Sequence, residues 1–359
     1  MRIFAVFALA VSVAYGQELS AQERAQRAVV RVEAVEPAFE RVATLIRQRA
    51  PAAELRRVKL QQPYRLVTSG VVISSKGEIL TTALHPRAQL RIEVTFFDGS
   101  HKWARLVGTD PRSNLALIRV ATPVAHHLDL ATGEPSEGTN VLIVGDGDAL
   151  EGTTQMGAVA ARHVTVFIPD LYGVDAQPML PLASVFAVPV RVGDARPGSP
   201  CVDSNGRMLG LLIGRSAPFR RVWPDAQGRQ RPLEYEYCFA LPAARVQRIL
   251  RDLRGPHKRV VRSHWGVQLT RVPASLRAHF ELPTSAASVI GILRGGPAGR
   301  GGVQLHDVLF SVNGETHKGF YQLAEALSDC KPDTPAKLGV LRKGKRIELT
   351  VTPNRREAK

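Results

Sequence analysis

From Arg65 to about Pro242 the chain is written as short Val, Ile and Leu runs separated by Gly, Asp, Asn and Pro turns. L-V-T-S-G-V-V-I-S-S-K-G-E-I-L-T-T turns at Lys76-Gly77, and R-I-E-V-T-F-F-D-G-S-H-K-W-A-R-L-V-G turns at Asp98-Gly99. Asp-Gly between two apolar runs signals a hairpin, because the tight turn needs residues that tolerate positive φ. Many short strands without helices between them predict a mainly β body, a barrel or a sandwich.

The flanks have a different character. Upstream, from Gln17 to about Arg57, Ala, Arg and Glu dominate, with Val29, Val30 and Val32 reading as a strand. Residues 38–46 space their apolar side chains as one helix face would, and Pro51 interrupts the pattern. Residues 17–64 therefore read as a strand and helical extension ahead of the β body. Downstream, residues 242–253 place Val246, Ile249, Leu250 and Leu253 on one helix face, and Gly255-Pro256 stops that helix. The basic residues 257–262 look like a linker between a body of residues 65–256 and a second domain of residues 263–355. That domain mixes strands with one clear helix, Tyr321 to Leu327.

A chain of 359 residues that is 44% hydrophobic and 22% charged fits about two globular domains. Residues 1–16 carry one basic residue, an apolar run through Ala14, and small residues Ala14 and Gly16 ahead of Gln17. This predicts a secretory signal, since the run is shorter than the roughly 20 residues of a membrane helix. The mature protein is then exported, to the periplasm or beyond, with no transmembrane segment left after cleavage. The formal charge is +16, with Arg spread over the whole length. That pattern favours a solvated surface, with an anionic envelope surface or polyanion as an alternative partner, and no nucleic-acid motif accompanies it. Three cysteines, Cys201, Cys238 and Cys330, allow at most one internal disulfide, and their spacing fits no metal site. No cofactor is expected.

Several stretches together carry a resemblance. G-V-V-I-S-S-K-G-E-I-L-T-T and D-G-S-H-K-W-A-R-L-V-G-T-D-P-R-S-N-L-A-L-I-R-V resemble the first barrel of HtrA (Deg) serine proteases of the trypsin-like type. T-N-V-L-I-V-G, T-Q-M-G-A-V-A-A, P-C-V-D-S-N-G-R-M-L-G and C-F-A-L-P-A-A-R-V-Q-R-I-L resemble the second barrel and its closing helix. W-G-V-Q-L, G-G-P-A-G, D-V-L-F-S-V-N-G and V-L-R-K-G-K resemble the PDZ domain that follows. The likeness covers roughly residues 65–353 in the family's order. It implies a chymotrypsin-like double β-barrel followed by an α+β PDZ domain.

The resemblance also implies a Ser nucleophile, a His that takes its proton and an Asp that orients the His. The family's His follows a strand ending like I-L-T-N-N-H, but here Ile79-Leu80-Thr81-Thr82-Ala83 leads to Leu84, and an aliphatic side chain accepts no proton. His85 comes one residue later, an offset that turns a side chain to the opposite face, and Pro86 restricts compensation. The Asp opens D-L-A-V or D-I-A-L, but here the motif reads Asn114-Leu115-Ala116-Leu117. An amide carries no charge to stabilise an imidazolium, and in a Ser-His-Asp protease this change alone lowers turnover by about 10⁴. The Ser sits in G-N-S-G-G-P, which, anchored on Pro200, Asp203 and Gly206, lines up with Ala195-Arg196-Pro197-Gly198-Ser199-Pro200. Pro197 then stands at the nucleophile, with neither a hydroxyl nor the N–H that serves the oxyanion hole. On this reading no triad is intact. The alternative is a rearranged endopeptidase using Ser199 and His85, with Asp110 or Asp194 as orienter. Against it, Ser199 reads as a turn residue, His85 as a surface residue and Asp110 as an Asx turn before Pro111. Cys201 reads as a packed core thiol that Cys238 could reach, and Cys330 as an unpaired turn residue.

A PDZ domain holds a peptide's C-terminal carboxylate on backbone N–H groups and adds the peptide as a strand at a sheet edge. By resemblance the loop is His264-Trp265-Gly266-Val267, the receiving strand begins at Val267-Gln268-Leu269, and the opposite wall carries Phe320, Leu323, Ala324 and Leu327. Apolar C-terminal residues are the expected ligands. The sequence thus predicts a non-catalytic scaffold that binds polypeptide C-termini or unfolded proteins. The family's habit of forming trimers implies a homo-oligomer, or association with an active protease relative.

Overall fold

A computed structural model of the chain describes residues 19–35, 65–82, 84, 91–145, 153–166, 182–191, 196–216, 219–224 and 230–355. The signal-like segment 1–16, the helix expected over 38–46, His85 and Asp194 lie outside them.

Ser20 opens α1 (Ala21–Ala28) with a reciprocal cap: its Oγ accepts from the Glu23 N–H at 3.2 Å, and its own N–H donates to Glu23 Oε2 at 2.8 Å. The chain continues directly into β1 (Val29–Val35). The first barrel is closed in the order β1-β2-β3-β6-β5-β4, with β2 Arg65–Val72, β3 Glu78–Thr82, β4 Arg91–Thr95, β5 His101–Asp110 and β6 Leu115–Val120. β1 pairs with both β2 and β4, so the strand ahead of residue 65 is an integral stave of the barrel. Alternation drives this closure: Val30, Val32 and Ala34 fill the interior with Val72, Ile79, Ile92 and Val94.

The second sheet runs β8-β7-β11-β12-β14-β10-β9, with β13 on β14. Its strands are β7 Asn140–Gly145, β8 Thr153–Ala158, β9 Ala161–Val166, β10 Leu182–Arg191, β11 Pro200–Val202, β12 Met208–Arg215, β13 Phe219–Pro224 and β14 Gln230–Pro242. Cys201 and Cys238 lie in its core with Phe186 and Val188, and all three cysteines are free thiols. A third apolar cluster forms the seam between the two sheets, where Leu80, Leu115 and Leu117 meet Val202, Leu211 and Ile213. The helix α2 (Ala243–Arg254) presses Val246, Ile249, Leu250 and Leu253 onto that seam.

The second domain holds a short pair, β15 (Ser263–His264) with β21 (Asn354–Arg355), and a five-stranded sheet. The sheet order is β16 (Val267–Arg271), β17 (Ala287–Ile292), β18 (Val308–Val312), β19 (Ala336–Arg342) and β20 (Lys345–Val351). The expected helix is α5 (Phe320–Asp329), and two short helices join it, α3 (Ala274–His279) and α4 (Pro297–Arg300). Six and four residues are too few to display a helical period, which is why the pattern did not reveal them. Among the described residues no helix is long and apolar enough to cross a membrane.

The basic stretch 257–262, read as a linker, is docked on the body: Arg259 forms a parallel bridge with Thr109, and a Cβ on Gly108 would collide with the Lys258 carbonyl. Asp110 is not the Asx turn expected before Pro111, since its side chain makes no capping bond to the turn that follows. It is 1% exposed, receives both Arg262 Nη atoms at 2.7 Å, and accepts from Ser113 Oγ at 2.7 Å. A buried carboxylate needs such a partner, and the arginine comes from the linker itself.

Candidate functional site: the barrel seam and the peptide groove

Of the three positions that the resemblance marks as catalytic, Asn114 and Pro197 border the contact between the two sheets and Leu84 lies in the first barrel. Leu84 is 5% exposed and packs inside the first barrel with Val72 and Ile79. Asn114 is buried in the left-handed conformation (φ 56°, ψ 25°), which Asn tolerates, and its Nδ2 donates to the Ile213 carbonyl of β12 at 3.0 Å. It therefore acts as a tie between the barrels.

The loop ahead of β11 is drawn onto the first barrel. The Pro197 carbonyl accepts from the Ser69 N–H at 3.2 Å and from Thr68 Oγ1 at 2.6 Å. Gly198 sits at φ +92°, and a Cβ there would fall on the Ser69 carbonyl oxygen, so only glycine fits. Its N–H donates to the Leu212 carbonyl at 2.7 Å. Neither Pro197 nor Gly198 therefore presents a free N–H to an oxyanion. Ser199 is fully buried, with its N–H on the Arg196 carbonyl at 3.1 Å and its carbonyl on the Leu212 N–H at 2.9 Å. Its Oγ has no hydrogen-bond partner among the described residues and faces Gly145, where a Cβ would collide with it. The sequence reading missed the buried hydroxyls that line this seam. Thr68 Oγ1 lies 3.2 Å from Thr82 Oγ1, and Thr81 Oγ1 donates to the Ser69 carbonyl at 2.8 Å. Their only signal was polar residues in strands otherwise fit for the core.

In the second domain the proposed loop precedes a free edge. β16 pairs with β17 on one side, and no described strand pairs with its other side. Gly266 has φ +69°, and its carbonyl accepts from the Leu293 N–H at 2.8 Å while the Trp265 carbonyl accepts from the Ala298 N–H at 3.0 Å. Trp265 is buried, and its Nε1 donates to Ser263 Oγ at 2.8 Å and to the Leu327 carbonyl at 2.7 Å. That fastens the loop to the C-terminal end of α5. His264 and Gln268 are exposed, whereas Val267 and Leu269 are half-buried against the domain core. Of the helix wall, Leu323 and Leu327 are core residues, while Phe320 and Ala324 stay half-exposed beside the edge.

The outward side of α5 rests on the body, a contact the sequence did not announce. Gln322 Nε2 donates to the His163 carbonyl at 2.7 Å, and Arg112 Nη1 donates to Ser328 Oγ at 2.7 Å. Arg245 of α2 pairs with the buried Glu325 at 2.5 Å, and Arg248 pairs with Asp329. Burial alone would lower the Arg245 pKa, but Glu325 beside it outweighs that and holds it above its usual value. The one sign in the sequence is Glu325 and Asp329, one turn apart on the same helix.

Comparisons with known proteins agree with this layout. A trypsin-like peptidase domain family matches residues 68–211, and a PDZ domain family matches residues 266–352. A probable periplasmic serine endoprotease, DegP-like, from Chlamydia trachomatis is 24% identical over 302 residues, which is 81% of this chain and 54% of the relative. Its counterpart from Pseudomonas putida is 28% identical over 298 residues, with 81% and 56% covered. The chain thus spans about half the length of these curated relatives. Among solved structures, the HtrA-type protease AlgW with tripeptide is similar at TM-score 0.65 and 20% identity, covering 94% of this chain and 97% of that one. The serine endoprotease from Yersinia pestis is similar at TM-score 0.57 and 19% identity, with the same coverage.

Proposed function

Because the chain is a trypsin-like peptidase domain followed by a PDZ domain, homologous to the DegP-like endoproteases and folded like the HtrA-type proteases, we propose a precise departure from them. It is a pseudoprotease: an exported protein that binds polypeptide C-termini or unfolded segments through its PDZ domain, with the protease body as a rigid support. The observation that carries this reading is the loop at Pro197. Its carbonyl is bonded to Thr68 and Ser69, its ring offers no hydroxyl or N–H, and the next N–H is committed to Leu212. Leu84 and Asn114, at the positions of base and orienter, are a core residue and a structural tie. The exposed edge of β16 beside α5 supports peptide addition. Export to the periplasm rests on the signal-like residues 1–16 and on the named compartment of the relatives.

A second reading keeps one observation of its own. Ser199 Oγ is buried without a hydrogen-bond partner among the described residues, so a rearrangement that freed it and brought up His85 would create an endopeptidase. A fluorophosphonate probe separates the two. The pseudoprotease gives no covalent adduct and no cleavage of unfolded casein, whereas labelling at Ser199 would overturn it. In parallel, peptides with a free apolar C-terminus are expected to bind and their C-terminal amides are not. Retention on heparin that survives deletion of residues 263–355 would instead point to a polyanion-binding body.

A further inference from the structure

Resting on the peptide-groove reading above, we infer that the groove selects peptides with an acidic residue four positions before an apolar C-terminus, and that Arg271 makes the selection. β16 alternates without a bulge of its own, since the extra residue in its ladder is Ile290 on β17. Val267 and Leu269 face the domain core with Phe320, so Arg271 shares their side of the strand. The structure shows that direction: the Arg271 guanidinium lies 5.8 Å from the Phe320 ring centroid and 5.0 Å from that of Tyr321. The arginine thus reaches from the last residue of the edge strand to the first turn of α5 and closes the groove opposite the loop.

Two further points turn this position into a charge filter. No described carboxylate pairs with Arg271, although Arg342, Arg262, Arg245 and Arg248 in or against the same domain all have one. A cation stacked on two rings is also held in place, so little side-chain freedom is lost when an anion arrives. The register then follows from geometry. A carboxylate held at residues 265–267 puts the peptide's last residue opposite Val267, and the rest of the peptide runs antiparallel to β16. Directly opposed residues share a face, so the last, third-last and fifth-last residues of the peptide face α5. The fifth-last residue, four before the terminus, lies opposite Arg271. The four steps from Val267 to Arg271 span about 13 Å, matched by the four steps of the peptide from its last to its fifth-last residue.

The test uses the full chain and fluorescent octapeptides ending in a free valine carboxylate, with Asp, Ala or Lys four positions before it. By anisotropy at low salt the Asp peptide is expected to bind roughly three- to tenfold more tightly than the Lys peptide, with the gap closing in 0.5 M salt. Arg271→Glu is expected to reverse the order and Arg271→Gln to flatten it, whereas Lys345→Glu on the remote strand β20 preserves it. Circular dichroism verifies that each variant is folded. Carboxylate-dependent binding that ignores the Asp-to-Lys change overturns the selection by Arg271 but leaves the groove. Binding that is absent, or equal for amidated peptides, overturns the groove reading and the selection together.

Discussion

If Pro197 stands at the nucleophile, as proposed, it removes two contributions at once, so its reversal is informative. On the proposed alignment Pro197→Ser returns a hydroxyl but leaves Leu84 where the base would stand and Asn114 where the carboxylate would stand. Cleavage of unfolded casein by this variant is expected to stay at the wild-type background, and a measurable rate would show that a neighbouring base is within reach. Asp110 carries the opposite kind of consequence, one of stability. Burial pushes its carboxyl upward, but the Arg262 guanidinium and the Ser113 hydroxyl outweigh this and hold it below its usual value of 3.8. A carboxyl lowered by folding stabilises the fold above its unfolded pKa, and the contribution fades as pH falls through the folded value. Glu78 behaves alike, with Arg254 and Arg119 overcoming the effect of burial to hold it below 4.5. Thermal melts are therefore expected to lose stability as pH drops from about 4.5 downward. Asp110→Asn leaves Arg262 partly buried without its counter-charge, at a cost of about 3–5 kcal/mol in urea titrations at pH 7. A loss within 0.5 kcal/mol would mean that the pair contributes little.

Among the elements, α2 has the widest reach, because one helix face seals the seam between both sheets. Leu250→Ala removes a side chain 2% exposed at that seam and is expected to cost about 2–5 kcal/mol in chemical denaturation. The elements also show what the sequence could and could not tell. Strands of the body were legible because alternation and Asp-Gly turns are local signals, and α2 and α5 because their apolar faces recur at helical spacing. β1 was legible as a strand but not as a stave of the barrel, since its partners Thr68 and Val94 lie far along the chain. Asp110 and Arg262 are 152 residues apart, so nothing local distinguished a buried ion pair from a polar turn and a basic linker. The residues proposed for the groove come from resemblance, whereas the seat of Arg271 on Phe320 and Tyr321 needed the folded domain. The thiols are a simple check on the same cores. Burial pushes Cys238 up to about 12 and Cys330 up to about 11. Cys201, fully buried beside Cys238, is raised further still. A disulfide reagent at pH 8 is thus expected to modify the native chain far more slowly than the three thiols of the denatured chain.

At the scale of the molecule, the two domains are joined by a charge cluster whose central pair, Arg245 and Glu325, water scarcely reaches. Arg245 is 9% exposed at its side chain and Glu325 is 4% exposed, and Arg248 and Asp329 extend the contact along the same helix pair. Arg262 then ties the start of the second domain back to Asp110 of the first barrel. A pair buried this deeply favours one docking arrangement more than it adds net stability, because desolvation offsets much of the attraction. Removing one partner is different, since the remaining charge stays buried and unpaired. Glu325→Gln with Asp329→Asn leaves Arg245 and Arg248 facing amides across the contact, in a chain whose formal charge of +16 already disfavours gathering cations. The favourable response is for α5 to leave the body, which hydrates Arg245. Calorimetry of the unmodified chain is then expected to give one cooperative transition and that of the double variant two, with the second domain melting separately. Limited proteolysis at Lys258 and Arg259 should accelerate in parallel, because the stretch 257–262 connects the undocked domain to the body and is pulled on when α5 leaves. A single unchanged transition in the variant would show that the Asp110–Arg262 pair and the hydrogen bonds of Gln322 and Arg112 suffice to hold the domains as one unit.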